Sequence, residues 1–218
     1  MNTNEKELQK RKNTKHFIDV TKEMLKEHDL SDLSIRKIAE KAGFHNSTLY
    51  LYFENLDHLL MLASVSYFGD YSRNLASLRE KDITITEEFL EIWDLFIIST
   101  LKEAKIFYNF FFGPSSNSLK KVMNYYYDLY PEEKLTYSKG IEIMYYGDTF
   151  QERCLYLLKP LIEEKDNGVT KENCVMLNDI TINCIQIMLE KKCKDPSLDD
   201  EELRAYEMEM IKYINQIK

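Results

Sequence analysis

Ser34-Ile35-Arg36-Lys37-Ile38-Ala39-Glu40-Lys41-Ala42-Gly43-Phe44-His45-Asn46-Ser47-Thr48-Leu49-Tyr50-Leu51-Tyr52-Phe53 is the stretch that decides how this chain begins to fold. Ile35, Ile38, Ala39 and Ala42 recur at i, i+3, i+4 and i+7, the stripe of a short helix packed on one side. Ser34 suits its N-cap, because a hydroxyl there accepts an orphan backbone N–H of the first turn. Gly43 stands where the helix must stop and reverse, a left-handed position that glycine takes without steric cost. A second short helix, near 46–52, carries Leu49 inward. Small Ala39, turning Gly43 and apolar Leu49 have the spacing of a helix-turn-helix: the first allows close approach, the second makes the turn and the third fills the angle.

Outward from this core, the same helical period covers nearly all of the 218 residues. Hydrophobic residues make up 44%, ample for a core, and only four prolines and six glycines interrupt the pattern. An all-α fold is expected. The first helix is expected from about Glu5 to Glu27, with Phe17, Ile18, Val20, Met24 and Leu25 inward. Further helices are expected near 35–42, 46–52, 55–79, 86–111, 116–129, 132–166 (interrupted near Gly147 or Pro160), 171–192 and 199–217. Asn55 should cap the fourth, which leads from head to body without a flexible linker.

Composition excludes several function classes. No run of about 18 uncharged apolar residues exists, so no membrane span is expected. The N-terminal Met1-Asn2-Thr3-Asn4-Glu5-Lys6 lacks an apolar core, so no secretory signal is expected and the chain should be cytoplasmic. Cys154, Cys174, Cys184 and Cys193 show no metal-ligand spacing and are expected to be reduced packing residues, with no metal or cofactor. No nucleophile elbow, zinc-protease helix, phosphate loop or dinucleotide fingerprint occurs, so the chain is not expected to be an enzyme. Net charge is −8, yet residues 1–60 carry 10 basic and 10 acidic side chains, and the deficit lies wholly beyond them. Charges are screened over roughly 8 Å in physiological salt. An acidic distal body therefore leaves a balanced head able to meet DNA.

The head resembles the TetR family of bacterial transcriptional regulators. The likeness rests on Leu33–Phe44 (with its I-A-x-x-A-G core), on Thr48-Leu49-Tyr50-Leu51-Tyr52-Phe53 and on Asp57-His58-Leu59-Leu60. It covers roughly residues 10–60. It implies a three-helix DNA-binding domain over residues 1–54 and a larger all-helical effector-binding and dimerisation domain over 55–218. It also implies a double-stranded DNA operator, a homodimer through the last two helices, and a small, largely apolar effector that releases a repressor. By the same likeness His45, Asn46 and Ser47 read base edges. Ser34, Thr48, Tyr50 and Tyr52 touch phosphate, and Arg36 reaches a base or a phosphate. Affinity then leans on Arg36, Lys37, Lys41 and the basic residues 6–15.

Three departures qualify this. Members often carry Ser where this chain has His45, so the cap is expected to shift to Asn46; they often carry Lys where it has Leu56. With no Lys or Arg in the recognition helix, the alternative is a helical ligand-binding or interaction protein whose head no longer binds DNA. Tyr50 and Tyr52 lie about 200° apart on a helix, so at least one is free of the core. In the aromatic-rich body, Tyr67, Trp93 and Phe96 are expected to wall an apolar effector cavity, since such rings supply both greasy surface and polar tips.

Overall fold

A computed structural model describes residues 3–78, 80–164 and 166–217. Met1 and Asn2 of the N-terminal stretch, Arg79 at the end of the expected 55–79 helix and Lys165 within the expected 132–166 stretch lie outside them. The described residues form α-helices and 3-10 turns and no strand: α1 (Thr3–Glu27), α2 (Ile35–Lys41), α3 (Asn46–Leu49), α4 (Leu56–Ser64), α5 (Gly69–Leu78), α6 (Ile85–Lys102), α7 (Ala104–Phe112), α8 (Leu119–Leu129), α9 (Lys139–Tyr145), α10 (Phe150–Leu158), α11 (Cys174–Lys194) and α12 (Asp200–Asn215). No helix among them is long and apolar enough to cross a membrane.

The chain forms two compact units. One is Met1–Tyr67 with Lys121–Lys134; the other is Phe68–Lys120 with Leu135–Lys218.

In the first unit, Phe17, Ile18, Val20, Met24 and Leu25 of α1 are buried as their spacing requires, together with Ile38, Ala39, Ala42 and Leu49. The Phe17 ring is the hub, with Phe44, Tyr52 and Phe53 centroids 5.0, 5.6 and 6.0 Å away. Gly43 has φ +77°, the left-handed conformation its position demands. α4 is buried from Leu59 through Ser64, as expected of a helix apolar all round.

Residues 121–134 enter this unit from far along the chain and grip α1. Tyr130 donates its hydroxyl to Asp19 Oδ1 at 2.6 Å, and Tyr126 donates to Glu133 at 2.6 Å. The Lys22 ammonium lies over the Tyr130 ring at 3.9 Å and the Tyr126 ring at 4.8 Å, with Asp19 and Glu133 each 3.7 Å away. Burial pushes the Lys22 ammonium below the usual lysine range, opposed by those two carboxylates. Arg11 pairs with Asp128, and Lys15 with Glu132.

The second unit is built on an aromatic core. Phe111 lies 4.5 Å from Phe150 and 5.3 Å from Phe96, while Phe68 lies 4.9 Å from Phe107 and 4.8 Å from Phe110. Thr84 and Glu87 close a capping box that starts α6. The expected helix 86–111 is broken at Glu103, whose backbone leaves the helical region at φ −135°, ψ 50°. An unbroken helix of that length would run straight for about 39 Å. The bend instead returns Ala104, Phe107, Phe110 and Phe111 to the core that Phe96 and Ile97 already face. The expected 55–79 helix is likewise interrupted by the 3-10 turn Val65–Phe68.

α11 buries Leu177, Thr181, Ile185 and Met188 on one face. Its other face exposes Val175, Met176, Ile180 and Ile187, and α12 exposes Tyr206 and Tyr213.

Candidate functional site

The head offers one exposed polar edge, at the start of α3. Ser34 caps α2 as expected, accepting the Lys37 N–H at 3.3 Å. The cap of α3 differs from expectation. It stays on His45, whose Nδ1 accepts the Ser47 N–H at 3.4 Å and lies 2.9 Å from the Ser47 hydroxyl. An imidazole nitrogen does what a serine oxygen does elsewhere, so Asn46 does not take the cap and becomes the first residue of the helix. Its amide is exposed and left to face a ligand.

Tyr50 is 58% exposed, on the turn that ends α3. Tyr52 is half-buried; its ring packs on Phe17 and its hydroxyl accepts from Asn13 Nδ2 at 2.7 Å. One tyrosine is thus presented and the other is tied to α1. Thr48 is half-buried behind Ser47. Arg36 is exposed, and its side chain pairs with no other described residue. Lys37 donates to the Asp32 carbonyl at 2.7 Å, and Lys41 pairs with Glu27 at 3.4 Å. Leu51 was missed by sequence reasoning: beside Tyr50 it is 69% exposed, an apolar side chain of the kind that meets a thymine methyl in the major groove. Its signal was its place opposite the buried Leu49 and Phe53.

Tertiary support reaches this edge from α1. His16 Nε2 lies 2.9 Å from the Ala42 carbonyl, which ties α1 to the turn before α3. Asn55 caps α4 through the His58 N–H at 2.8 Å. Burial lowers the His58 imidazole below the usual histidine range, which leaves it less readily charged.

The second unit encloses a small cavity. Trp93 and Phe96 line it, with Tyr71, Phe150, Arg153 and Cys154 among its other walls. Tyr67, part-exposed in the first unit, is not among its lining residues. The space is about 20 Å³, enough for one water molecule, whereas ligand pockets run to roughly 300–1,000 Å³. A ligand of that size would fit only if the rings moved apart.

Among the wall residues that sequence reasoning missed, Arg153 is the charged one. It is 4% exposed, and its Nε donates to the Gly147 carbonyl at 3.0 Å. A Cβ at position 147 would meet Arg153 Cγ at 2.8 Å, so only glycine lets the side chain pass. The signal was present: Phe150, Arg153, Cys154 and Leu157 stand at i, i+3, i+4 and i+7, which sets a cation on an apolar stripe. Burial pushes the Tyr71 phenol and the Cys154 thiol up, so both stay protonated, although Arg153 opposes the shift. Among the described residues no three His, Cys, Asp or Glu side chains gather as a metal site.

Residues 17–61 match the family model described as bacterial regulatory proteins, tetR family. No curated protein matches the chain. Among solved structures it is similar to the TetR-family transcriptional repressor FadR of Thermus thermophilus in complex with lauroyl-CoA, at 11% identity and a TM-score of 0.58, over 91% of this chain and 92% of that one. It is also similar to FadR of Bacillus subtilis in complex with stearoyl-CoA, at 14% identity and a TM-score of 0.54, over 91% and 96%. FadR of Bacillus halodurans, a fatty acid degradation regulator, matches at 14% and 0.54, over 91% and 93%. At such identities these likenesses speak for the fold. Residues 17–61 thus carry a match to bacterial regulatory proteins of the tetR family, and the all-α fold is one that solved members of that family share.

Proposed function

We propose that the chain is a sequence-specific DNA-binding transcriptional regulator, a cytoplasmic homodimeric repressor released from its operator by a small, largely apolar effector. The observation that carries this is the capped start of α3. His45 fixes the helix end, while Asn46, Ser47 and Tyr50 stand exposed beside it. Asn46 suits bidentate pairing with adenine, and Tyr50 suits a phosphate oxygen. The role of the head is assigned to residues 1–54, and effector binding and dimerisation to 55–218.

Dimerisation is supported by the apolar stripe of α11 and α12. Met176, Ile180 and Ile187 recur along α11, and Tyr206 and Tyr213 lie seven apart on α12, all exposed in the single chain. An isologous four-helix contact would cover them. It would set two α3 helices about 34–36 Å apart, one turn of DNA. The effector reading is supported by the aromatic cavity and by the acyl-CoA ligands of the solved relatives. A ligand that favours another head spacing lowers operator affinity by no more than its differential affinity for the two states.

A second reading, a helical ligand-binding protein without DNA binding, is favoured by the local engagement of Lys37, Lys41 and Arg11. Selection of binding sites from random duplex DNA decides between them. A regulator yields a palindromic site, loses discrimination at particular base pairs in Asn46→Ala, and binds all sites less tightly in Tyr50→Phe. Recovery of no preferred sequence at low salt would overturn the regulator reading.

A further inference from the structure

The polar atoms in the cavity wall are unbalanced in kind. Trp93 is 3% exposed, and its indole N–H, a donor only, meets no hydrogen-bond acceptor among the described residues. Arg153 supplies a guanidinium, again donor only, and it is the one charged side chain in the wall. The Tyr145 hydroxyl is taken up by Ser72 Oγ at 2.6 Å. Tyr71 and Cys154 are neutral, and no carboxylate lines the space. The rest is apolar: four phenylalanines with Ile92, Met144 and Leu157.

A buried cation beside an unanswered donor favours an acceptor that carries negative charge, because such pairs strengthen where water is excluded. Phenyl rings around them favour an alkyl or aryl remainder. We infer that the effector is a free apolar carboxylic acid, bound as its carboxylate with the head against Arg153 and the Trp93 N–H and the tail among the phenyl rings. This rests on the regulator reading above and narrows its effector to one chemical class.

The test uses a property of this sequence: Trp93 is its single tryptophan, so emission excited beyond the tyrosine absorption band reports on this wall alone. The full-length protein is titrated with decanoate, decanol and decylammonium, which share a tail and differ in head charge. Decanoate should shift Trp93 emission and bind at least tenfold more tightly than decanol, with decylammonium weakest. Arg153→Gln should erase the preference of acid over alcohol while decanol still binds, and Arg153→Lys should keep part of it. If Arg153→Gln does not fold, the wild-type series decides alone. Equal affinity for acid and alcohol, stronger binding of the amine, or no change in Trp93 emission with any of the three would overturn the inference. Operator binding is measured separately by gel shift without ligand. DNA binding without a carboxylate preference sinks the inference and leaves the regulator standing, whereas a carboxylate preference without DNA binding does the reverse.

Discussion

Replacing Glu207 with glutamine should stabilise the protein, and the gain should grow as pH rises. Glu207 lies on the inward face of α12 with Ile211 and Asn215. It is 3% exposed, and its Oε1 meets no donor among the described residues. Burial raises its carboxyl from about 4.5 to about 7, against the pull of Lys191 on α11. Between those two pH values the folded chain keeps a proton that the unfolded chain has released. The native state is therefore at full strength below about 4.5 and loses stability as pH climbs to 7. Each pH unit of displacement is worth about 1.4 kcal/mol, which puts the loss near 3 kcal/mol above neutrality. Glutamine has no charge to desolvate, so it avoids this loss. Urea unfolding of wild type and Glu207→Gln at pH 4, 5, 6, 7 and 8, at matched protein concentration, should give midpoints that nearly coincide at pH 4, separate through pH 7 and then level off. A separation independent of pH, or a less stable variant at pH 8, would refute the reasoning.

Gly43→Ala should cost about 1–2 kcal/mol, since a Cβ there meets nothing within 4 Å and the whole penalty comes from φ +77°; thermal melting reads it. Leu56→Lys should raise operator affinity and steepen the slope of log K against log salt by about 0.9 for each phosphate reached, or about 1.8 per dimer. An unchanged slope with intact folding would mean that position 56 faces away from DNA. Tyr130→Phe keeps the ring under Lys22 but removes the bond to Asp19. It should cost about 1 kcal/mol and speed amide exchange in α1, as read by mass spectrometry. Ile187→Glu puts a charge in the exposed stripe of α11 and should shift sedimentation from dimer to monomer at micromolar concentration, with a native helical spectrum retained.

The local grammar of the head was readable because short-range rules dominate it. Ser34, Gly43, Asn55 and the Ile35–Ala42 stripe each act within a turn or two of themselves, and each appears in the structure where its spacing put it. His45 was harder, because an imidazole caps only when its ring turns Nδ1 toward the next turn. The break at Glu103 carries no proline or glycine, and the turn Val65–Phe68 has only Gly69 at its far edge. There the apolar period continues, and the chain bends because tertiary packing outweighs local propensity. Trp93 and Phe96, conspicuous as aromatics, do line a cavity whose use is a proposal, whereas a buried Arg153 runs against the rule that charge sits at the surface. Nothing local in residues 121–134 announces that Tyr126, Tyr130 and Glu133 will meet α1, since that partnership joins residues more than a hundred positions apart.

That last partnership sets the order of events as the chain leaves the ribosome. The first 67 residues emerge with Lys15, Asp19 and Lys22 lacking their partners, and the 53 residues Phe68–Lys120 must be made before those partners follow. At a synthesis rate of roughly 5–20 residues per second, the wait is about 3–10 s. Closing so long a loop also carries an entropic cost, which the contacts of residues 121–134 with α1 must offset. A prematurely terminated chain therefore never completes the unit that presents α3. The unit around α3 is thus completed only after residues 68–120 of the second unit have been made, which ties the readiness of the head to the synthesis of the body.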